Sequence, residues 1–432
     1  MRHVLKVSVL CVMVVFVITA FSLIGCKTAA AETTTKAAGE VTLTWTEWWD
    51  SEWGEEIMVD LIATFEKQNT GIKINRIYNA WFDTYNKTLA MAQVGKPADI
   101  MGMEGIWMSS LDKLGALEDL GPWFDKEGQA YKDRFVDPAF VNYKGKIKSV
   151  YMYVYPFSLV YNIKIFKDKG LEPPKNLDDL KVVLKNLRNK TTNTYGTALP
   201  MSAEAAYHVM MIYGLTLAQF GGKYVDENGM AAFNTEAGVK ALQYLKDLVD
   251  ADLVVPGTLG MTAVQTREFF GSEQIALTYD GPFISAISKQ RNPEIQLAFV
   301  PQMHSTTGGY IVGGSGLSMS AKSEHKEEAW KFIKYMMSDE VADKLTKTTF
   351  LPWGLKSTSE NPFVKNDPVL NECSAMVEDP DTILFPVTPE ADSVQREFVY
   401  NIQAALNGEK DVNIAIDDAA KEWNKIIEAS SK

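Results

Sequence analysis

Short β-rich segments alternate with helical segments directly after residue 40. VTLTW, IKINRI and ADIMGM are apolar or β-branched runs of strand length. Between the first two, Ile57, Leu61 and Phe65 recur at helical spacing, and the residues from Trp81 to Val94 form a second helical period. This order of strand, helix, strand, helix, strand predicts an α/β domain with a mostly parallel sheet.

The same alternation continues toward the C-terminal end. Asn176 is placed to cap a helix, with Asp179 three residues later as in a capping box. The apolar spacing predicts three further helices, which carry Leu242, Leu245 and Val249; Trp330, Ile333, Met337, Val341 and Leu345; and the segment from Val394 to Leu406, which ends at Asn407-Gly408. A chain of 432 residues is long enough for two such domains.

The first 25 residues have the pattern of a targeting segment. Arg2 and Lys6 precede an uncharged stretch from Val7 to Ile24, and the stretch ends in LIGC. This ending resembles a bacterial lipoprotein lipobox, in which the signal peptidase cuts before the cysteine. The resemblance implies a signal peptide over 1–25 and a lipidated Cys26; an uncleaved helical anchor is the alternative.

The segment after Cys26 is made of small and polar residues. KTAAAETTTKAAGE has no apolar period, so residues 26–39 are predicted to form a flexible tether. A tether between a lipid and a folded body places that body at the outer face of the bacterial cytoplasmic membrane, in the periplasm or at the cell surface.

Charge and cysteine content exclude several classes of protein. The net charge is −12, and removal of residues 1–25 leaves 41 basic against 55 acidic residues, a net charge of −14. Such a surface repels nucleic acid and anionic lipid. Cys11 leaves with the signal and Cys26 carries lipid, so Cys373 has no partner for an intramolecular disulfide.

The histidines give no indication of a metal site. His3, His208, His304 and His325 are scattered, and none belongs to an HExxH motif or to a cysteine–histidine set. The Gly-rich VGGSG lacks the Lys-Ser/Thr ending of a phosphate-binding loop. We therefore predict no metal and no cofactor.

Several segments together resemble one known family. YPFSLVYNIKIFKDKGLEPPKNLDDL, FGGKYVDENGMAAFNTEAGVKALQYLKDLV, FFGSEQIALTYDGPF and GGSGLSMSAKSEHKEEAWKFIKYMMSDE occur in the order found in the extracellular solute-binding proteins of ABC importers, in the cluster that includes maltose-binding protein. The resemblance covers the chain from about Val41 to Trp423.

The resemblance implies two α/β lobes joined by a hinge, with a ligand cleft between them. By analogy the first lobe comprises 40–156 and 315–365, and the second comprises 157–314 and 366–428. It also implies a monomer that delivers a small solute to the transmembrane subunits of a permease, without catalysis.

Acidic and aromatic residues at predicted strand ends are the candidate ligand contacts of the first lobe. In open α/β sheets, ligands bind beyond the carboxyl ends of the strands, where EWWD and MEGIW are expected. An aromatic ring can cover the apolar face of a sugar while carboxylates accept its hydroxyl protons. The candidates are Glu47, Trp48, Trp49, Asp50, Trp81, Glu104, Trp107, Tyr155 and Trp353. Core packing is the alternative for each aromatic, and helix capping for Glu47 and Glu104.

The second lobe and its crossover supply the remaining candidates. Asp280 is a candidate hydroxyl acceptor, and Phe283 occupies a position where relatives often have a stacking tryptophan. Tyr207 and Gly314 complete the set, the glycine through hinge flexibility or close approach to ligand.

The predicted function is capture of a carbohydrate, either a monosaccharide or an oligosaccharide. Two alternatives stay open at this stage. The same fold with carboxylates and aromatic rings could bind a polyamine or another small solute. A secreted glycoside hydrolase would also combine tryptophans with paired carboxylates.

Overall fold

The computed structural model describes residues 39–430. Residues 40–430 form one compact unit. The predicted signal peptide, Cys26 and residues 27–38 of the tether lie outside the described residues.

Nine strands and nineteen α-helices occur in residues 39–430. The strands are β1 Val41–Glu47, β2 Ile72–Tyr78, β3 Ile100–Glu104, β4 Phe140–Tyr143, β5 Lys146–Asn162, β6 Leu277–Asp280, β7 Leu297–Phe299, β8 Ile311–Met319 and β9 Ile383–Leu384. The helices are α1 Asp50–Trp53, α2 Glu55–Gln68, α3 Trp81–Gln93, α4 Met108–Lys113, α5 Gly121–Glu127, α6 Gln129–Lys132, α7 Ile163–Lys169, α8 Leu177–Leu187, α9 Ala206–Gln219, α10 Glu236–Asp250, α11 Ala263–Gly271, α12 Ile284–Arg291, α13 Lys326–Met336, α14 Asp339–Thr349, α15 Lys356–Glu360, α16 Pro362–Asn366, α17 Pro368–Glu378, α18 Ala391–Leu406 and α19 Val412–Ser430.

The sheet confirms the three predicted strands and corrects the expected strand direction. The strand order is β2-β1-β3-β8-β5-β4, and β1 is parallel to both β2 and β3. However, β8 is antiparallel to β3 and to β5, and β4 is antiparallel to β5. Parallel pairing is limited to β1 with its two neighbours and to the short strand β9 with β8.

The 17-residue strand β5 connects two apolar cores. Its first part pairs with β8, and its last part pairs with β6 and β7. One core cluster draws on residues 43–155 and 312–355, and the other on 157–311 and 369–427. The chain thus passes from one core to the other within β5 and returns at the start of β8. The fold is the two-lobe α/β arrangement predicted from the sequence.

Two features of the C-terminal third differ from the sequence prediction. The single helix expected from Trp330 to Leu345 is two helices, because the Ser338 hydroxyl accepts a hydrogen bond from the Val341 amide at 3.3 Å and begins α14. The helix α19 is an addition to the predicted set. Its buried face carries Val412, Ala415, Ile416, Ala419, Ala420, Trp423 and Ile427, an apolar stripe at helical spacing that the sequence prediction did not include.

The expected cap of α8 is confirmed. The Oδ1 of Asn176 accepts a hydrogen bond from the backbone N–H of Asp179 at 2.8 Å. Within residues 39–430, none of the helices combines the length and the apolar character needed to cross a membrane.

Candidate ligand-binding site

The predicted strand-end residues lie where the two cores meet. β1 ends at Glu47 and leads directly into Trp48 and Trp49, while β3 ends at Glu104 and is followed by the turn that contains Trp107. Because β1 and β3 are parallel neighbours, their carboxyl ends emerge at the same edge of the sheet.

Arg76 binds two of the carboxylates that were predicted to accept hydrogen bonds from sugar hydroxyls. The Oε1 of buried Glu47 accepts hydrogen bonds from Arg76 Nε at 3.0 Å and Nη2 at 2.8 Å, and Nη2 also donates to Asp50. The Oε2 of Glu47 accepts from the backbone N–H of Trp49 at 2.7 Å. Burial, opposed by Arg76, raises the pKa of Glu47. These contacts hold the turn after β1 in place and leave little of Glu47 for a ligand.

The tryptophans of the EWWDSEW segment pack against one another. The ring centroids of Trp48 and Trp49 are 4.3 Å apart, and Trp49 stacks on Trp53 at 5.1 Å. Trp107 meets Trp48 edge to face at 5.1 Å. Trp48 and Trp49 are fully buried, so in this structure neither presents a ring face to solvent. Both tryptophans therefore pack beneath the site and do not line its surface.

Trp81 is the predicted tryptophan with an open face. It begins α3, is 37% exposed and lies against Trp107 at 5.3 Å. Trp107 is itself buried between Trp81 and Tyr85, which stacks on it at 5.4 Å. The Trp81 side chain also opposes the rise in the pKa of the nearby Glu104 carboxyl group. An exposed aromatic surface thus lies beside a carboxyl group.

Glu52 was not among the predicted site residues. Its Oε1 accepts from Trp48 Nε1 at 3.0 Å, and its Oε2 accepts from the Tyr153 hydroxyl at 3.1 Å. The side chain is exposed to solvent, yet desolvation by the surrounding protein raises its pKa to about 7. Both properties fit a carboxyl group on the wall of a concave site, which water reaches and protein surrounds.

Glu104 lies deeper than Glu52. It is 8% exposed, and its Oε1 accepts a hydrogen bond from the Ser315 hydroxyl on β8. Burial raises the pKa of Glu104 to about 8, and the charge of Glu52 adds to the increase. Two carboxyl groups with raised pKa values therefore share this site.

Tyrosines from the two lobes meet at the crossover. The hydroxyl groups of Tyr155, on β5, and Tyr207, on α9, are 3.2 Å apart. Phe283 lies edge to face on Tyr155, with ring centroids 5.4 Å apart, and is partly exposed. The predicted residues of the second lobe are thus next to those of the first.

Arg267, on α11, is a second residue that sequence reasoning missed. It forms a bidentate pair with buried Asp280, with Nε to Oδ2 at 2.6 Å and Nη2 to Oδ1 at 2.9 Å. The guanidinium carbon lies 5.0 Å from the Phe283 ring centroid. Asp280 is therefore already paired, and Arg267 covers part of the Phe283 ring.

Arg267 also acts on the first lobe. Its charge attracts Glu52, although the two side chains form no hydrogen bond in the described structure. An arginine has five N–H donors, and those of Arg267 that do not face Asp280 have no acceptor among the described residues. A donor in one lobe and an acceptor in the other thus face the space between the cores.

The remaining two predicted residues pack within the protein. A Cβ at Gly314 would lie 2.3 Å from Tyr151 Cδ2 and 2.7 Å from the Tyr153 carbonyl oxygen, so the glycine permits close packing of β8 on β5. Trp353 is not at a rim. It is 2% exposed in the first core, where its Nε1 donates to the Met336 carbonyl at 3.2 Å.

The sequence carried a signal for only one of the two missed residues. Glu52 lies four residues after Trp48, the spacing that brings side chains together on one helical turn. Arg267 had none, because its place depends on how α11 packs on β6. Among residues 39–430, no three His, Cys, Asp or Glu side chains are grouped so that they could hold a metal ion.

Two α/β lobes with separate cores, crossing strands and a polar and aromatic site between them define a two-lobe binding protein. Residues 46–343 match the family model described as bacterial extracellular solute-binding protein. The chain belongs to this family.

Individual relatives agree with the family assignment. A binding protein of Brucella abortus is 23% identical over 398 residues, covering 90% of this chain and 94% of the relative. The arabinooligosaccharide-binding protein of Bacillus subtilis is 25% identical over 362 residues, covering 79% and 78%. An ABC transporter solute-binding protein of Thermotoga lettingae, solved with α-D-tagatose, has a TM-score of 0.76 and 24% identity, covering 90% and 100%.

Proposed function

We propose that this protein captures a carbohydrate, a monosaccharide or an oligosaccharide, between its two lobes and delivers it to an ABC permease for uptake. The lobes we propose are 40–156 with 315–365, and 157–314 with 366–428. The two separate core clusters support this division. The ligands named for relatives in Bacillus subtilis and Thermotoga lettingae support the choice of carbohydrate.

The observation that carries the proposal is a hydrogen-bond acceptor and unused donors in opposite lobes, Glu52 and Arg267, in a site that also contains the 37% exposed Trp81. A sugar hydroxyl is both donor and acceptor, so one hydroxyl can donate to Glu52 while another accepts from Arg267. Trp81 would cover the apolar face of a sugar ring. Micromolar affinity needs about 8 kcal/mol, which a stacked ring and several charge-assisted hydrogen bonds can supply.

Closure follows from the same geometry. Glu52 is on α1 of the first lobe and Arg267 is on α11 of the second, so a ligand contacts both only when the lobes are close together. Binding therefore shifts the hinge equilibrium toward the closed form. The Tyr155–Tyr207 hydroxyl contact lies at the crossover, where such a hinge would turn.

A polyamine is the second candidate, because Glu52 and Glu104 have no cation bonded to them in the described structure and lie among aromatic rings. An ammonium group could fill that space. A protonated polyamine, however, has no acceptor atoms for the unused N–H groups of Arg267. The hydroxyl oxygens of a sugar can accept hydrogen bonds from them. This difference favours the carbohydrate.

We further propose that Cys26 anchors the protein as a monomer at the outer face of the cytoplasmic membrane. The LIGC sequence and the polar tether support this location. Labelling cells with a radioactive fatty acid tests it: wild-type protein should carry the label, and Cys26→Ser should not. Label that persists in the variant would contradict lipidation at this cysteine.

The cargo is tested by tryptophan fluorescence of residues 27–432. The titrants are tagatose, arabinotriose, maltotriose, raffinose, spermidine and glycerophosphodiesters. We expect a saturable change with one sugar that is lost in Trp81→Ala and kept in Trp123→Ala, a partly exposed tryptophan that packs on Trp330 away from the site. If only spermidine gives a saturable change, the ligand is a polyamine and the proposal of a carbohydrate is wrong. Release of sugar products from an oligosaccharide would instead indicate a glycoside hydrolase.

A further inference from the structure

Three carboxyl groups of the candidate site are bonded to an arginine of the protein itself. Glu47 and Asp50 share the guanidinium group of Arg76. Asp280 forms a bidentate pair with Arg267, with N–O distances of 2.6 and 2.9 Å. A cation bonded in this way stabilises a carboxylate that the fold has removed from water. The protein therefore supplies a counter-charge for these three groups.

The other two carboxyl groups of the site have only neutral hydrogen-bond donors. Glu52 accepts from the Trp48 indole at 3.0 Å and from the Tyr153 hydroxyl at 3.1 Å. Glu104 accepts from the Ser315 hydroxyl. In the described part of the chain neither glutamate forms an ion pair, because both nearby arginines are held by the other three carboxylates. Glu52 and Glu104 are thus the acids of this site without a cation.

Water does not take the place of a cation at Glu104. This residue is 8% exposed and ends β3, which lies between β1 and β8. Water reaches Glu52 in this structure, but a ligand that covers the site would displace it. A carboxylate that loses its water is stabilised by an opposite charge next to it. The two glutamates therefore favour a ligand that brings a positive charge.

The pKa of Glu104 agrees with a missing cation. Burial raises this pKa to about 8, and the charge of Glu52 adds to the increase. A positive charge bound beside Glu104 would lower its pKa again and favour the ionised carboxylate. Because the charges of the two glutamates act on each other, one cation close to both of them stabilises both.

The remaining open groups of the site require a different chemistry from the same ligand. The N–H groups of Arg267 that do not face Asp280 need acceptor atoms, which an ammonium group does not have. The ring of Trp81, 37% exposed, can cover the apolar face of a sugar ring. A ligand that carries both an ammonium group and hydroxyl groups on a sugar ring satisfies all of these groups.

We propose that the carbohydrate bound by this site is an amino sugar with a free, protonated amine, either alone or as one unit of an oligosaccharide. The inference rests on the proposed function, because it specifies which kind of sugar is captured. The ammonium group has three N–H donors, enough to reach both Glu52 and Glu104. Hydroxyl oxygens of the same ligand accept from Arg267. A neutral sugar leaves both glutamates without a cation, and so does an N-acetylated amino sugar.

Sugars that differ at one substituent test the inference. Residues 27–432 are titrated by calorimetry at pH 7 with glucosamine, galactosamine and mannosamine, each beside its N-acetyl derivative and its neutral counterpart glucose, galactose or mannose. The β-1,4-linked trisaccharide of glucosamine, its N-acetyl derivative and cellotriose cover oligosaccharides. We expect at least one free amine to bind about 5- to 30-fold more tightly than both of its counterparts, because hydrogen bonds between charged groups are stronger than neutral ones.

A variant shows whether the two glutamates cause this preference. Glu104→Gln should weaken binding of the amine by about 5- to 30-fold and change binding of the neutral counterpart much less. Glu327→Gln, at an exposed residue paired with Lys126, should keep the preference of the wild type. If Glu104→Gln does not fold, Glu52→Gln tests the same preference. A preference for the amine that persists in the site variant would overturn its recognition by these carboxyl groups.

The titrations separate failure of this inference from failure of the proposed function. If a neutral sugar, from this series or from the fluorescence panel, binds as tightly as any amino sugar, the amino-sugar inference is wrong and the proposed function stands. If spermidine binds and no sugar does, both are wrong and the ligand is a polyamine. Absence of binding by every sugar and amino sugar would likewise overturn the carbohydrate proposal together with the inference.

Discussion

The indole N–H of Trp48 donates to Oε1 of Glu52 at 3.0 Å. The two residues are four positions apart, in the second half of the segment Val41–Trp53, which contains four tryptophans. The ring of Trp48 is buried and its polar atom points to the site. This tryptophan therefore orients a carboxyl group and closes the apolar space behind it.

Glu52→Gln should weaken sugar binding by about 5- to 30-fold. The amide keeps the shape of the side chain but loses the charge, and a hydrogen bond to a charged acceptor contributes about 1–2 kcal/mol more than a neutral one. Calorimetric titration measures the effect. Glu55→Gln, at an exposed residue that begins α2, is the matched control and should bind like the wild type. Equal affinity for both variants would remove Glu52 from the site.

Arg76→Met should destabilise the first lobe by about 3–5 kcal/mol, because it leaves Glu47 buried without its cation. Urea unfolding of the variant gives the free energy of unfolding directly. The comparison is Arg134→Met, which breaks an exposed pair with Asp339 and should cost at most about 1 kcal/mol. Adding Glu47→Gln to Arg76→Met should recover part of the loss. Similar costs for the two arginine variants would show that Arg76 is not structural.

Gly314→Ala should destabilise the protein by about 1–3 kcal/mol through overpacking. The new methyl group would meet the Tyr153 carbonyl oxygen, which the β5–β8 pairing holds in place, as well as the Tyr151 ring. Thermal unfolding measures the change. Gly260→Ala adds a methyl group where no atom lies within 4 Å and should leave the melting temperature nearly unchanged. If both variants melt alike, the close approach at Gly314 is not needed.

The stability of the protein should depend on pH through Glu104. Its pKa is about 8 in the folded protein and 4.5 for an unperturbed glutamate, so the folded state binds more protons between these values. Stability from this group is therefore lost as pH rises from about 4.5 to about 8. Glu104→Gln removes this loss, and it should gain about 2–4 kcal/mol relative to the wild type between pH 5 and pH 9. Urea midpoints at pH 5, 7 and 9 measure the gap, and a constant gap would refute the prediction.

Local periodicity explains what was predicted correctly. The strands β1, β2 and β3 and the helices between them follow from the spacing of apolar residues in each segment, which backbone geometry imposes on any chain. The cap at Asn176 is similarly local. The split between α13 and α14 was missed because the apolar spacing runs on across Ser338, whose hydroxyl caps the start of a new helix.

By itself, the sequence determined the α/β class, the crossing strand, the family resemblance and the placement of acids and aromatics at strand ends. Only the tertiary structure decided which of these residues are available to a ligand. Glu52 meets Tyr153 across 101 residues of chain, Glu104 meets Ser315 across 211, and Glu47 meets Arg76 across 29. A side chain's burial, charge and free hydrogen-bonding atoms depend on such distant partners, and no local pattern specifies them.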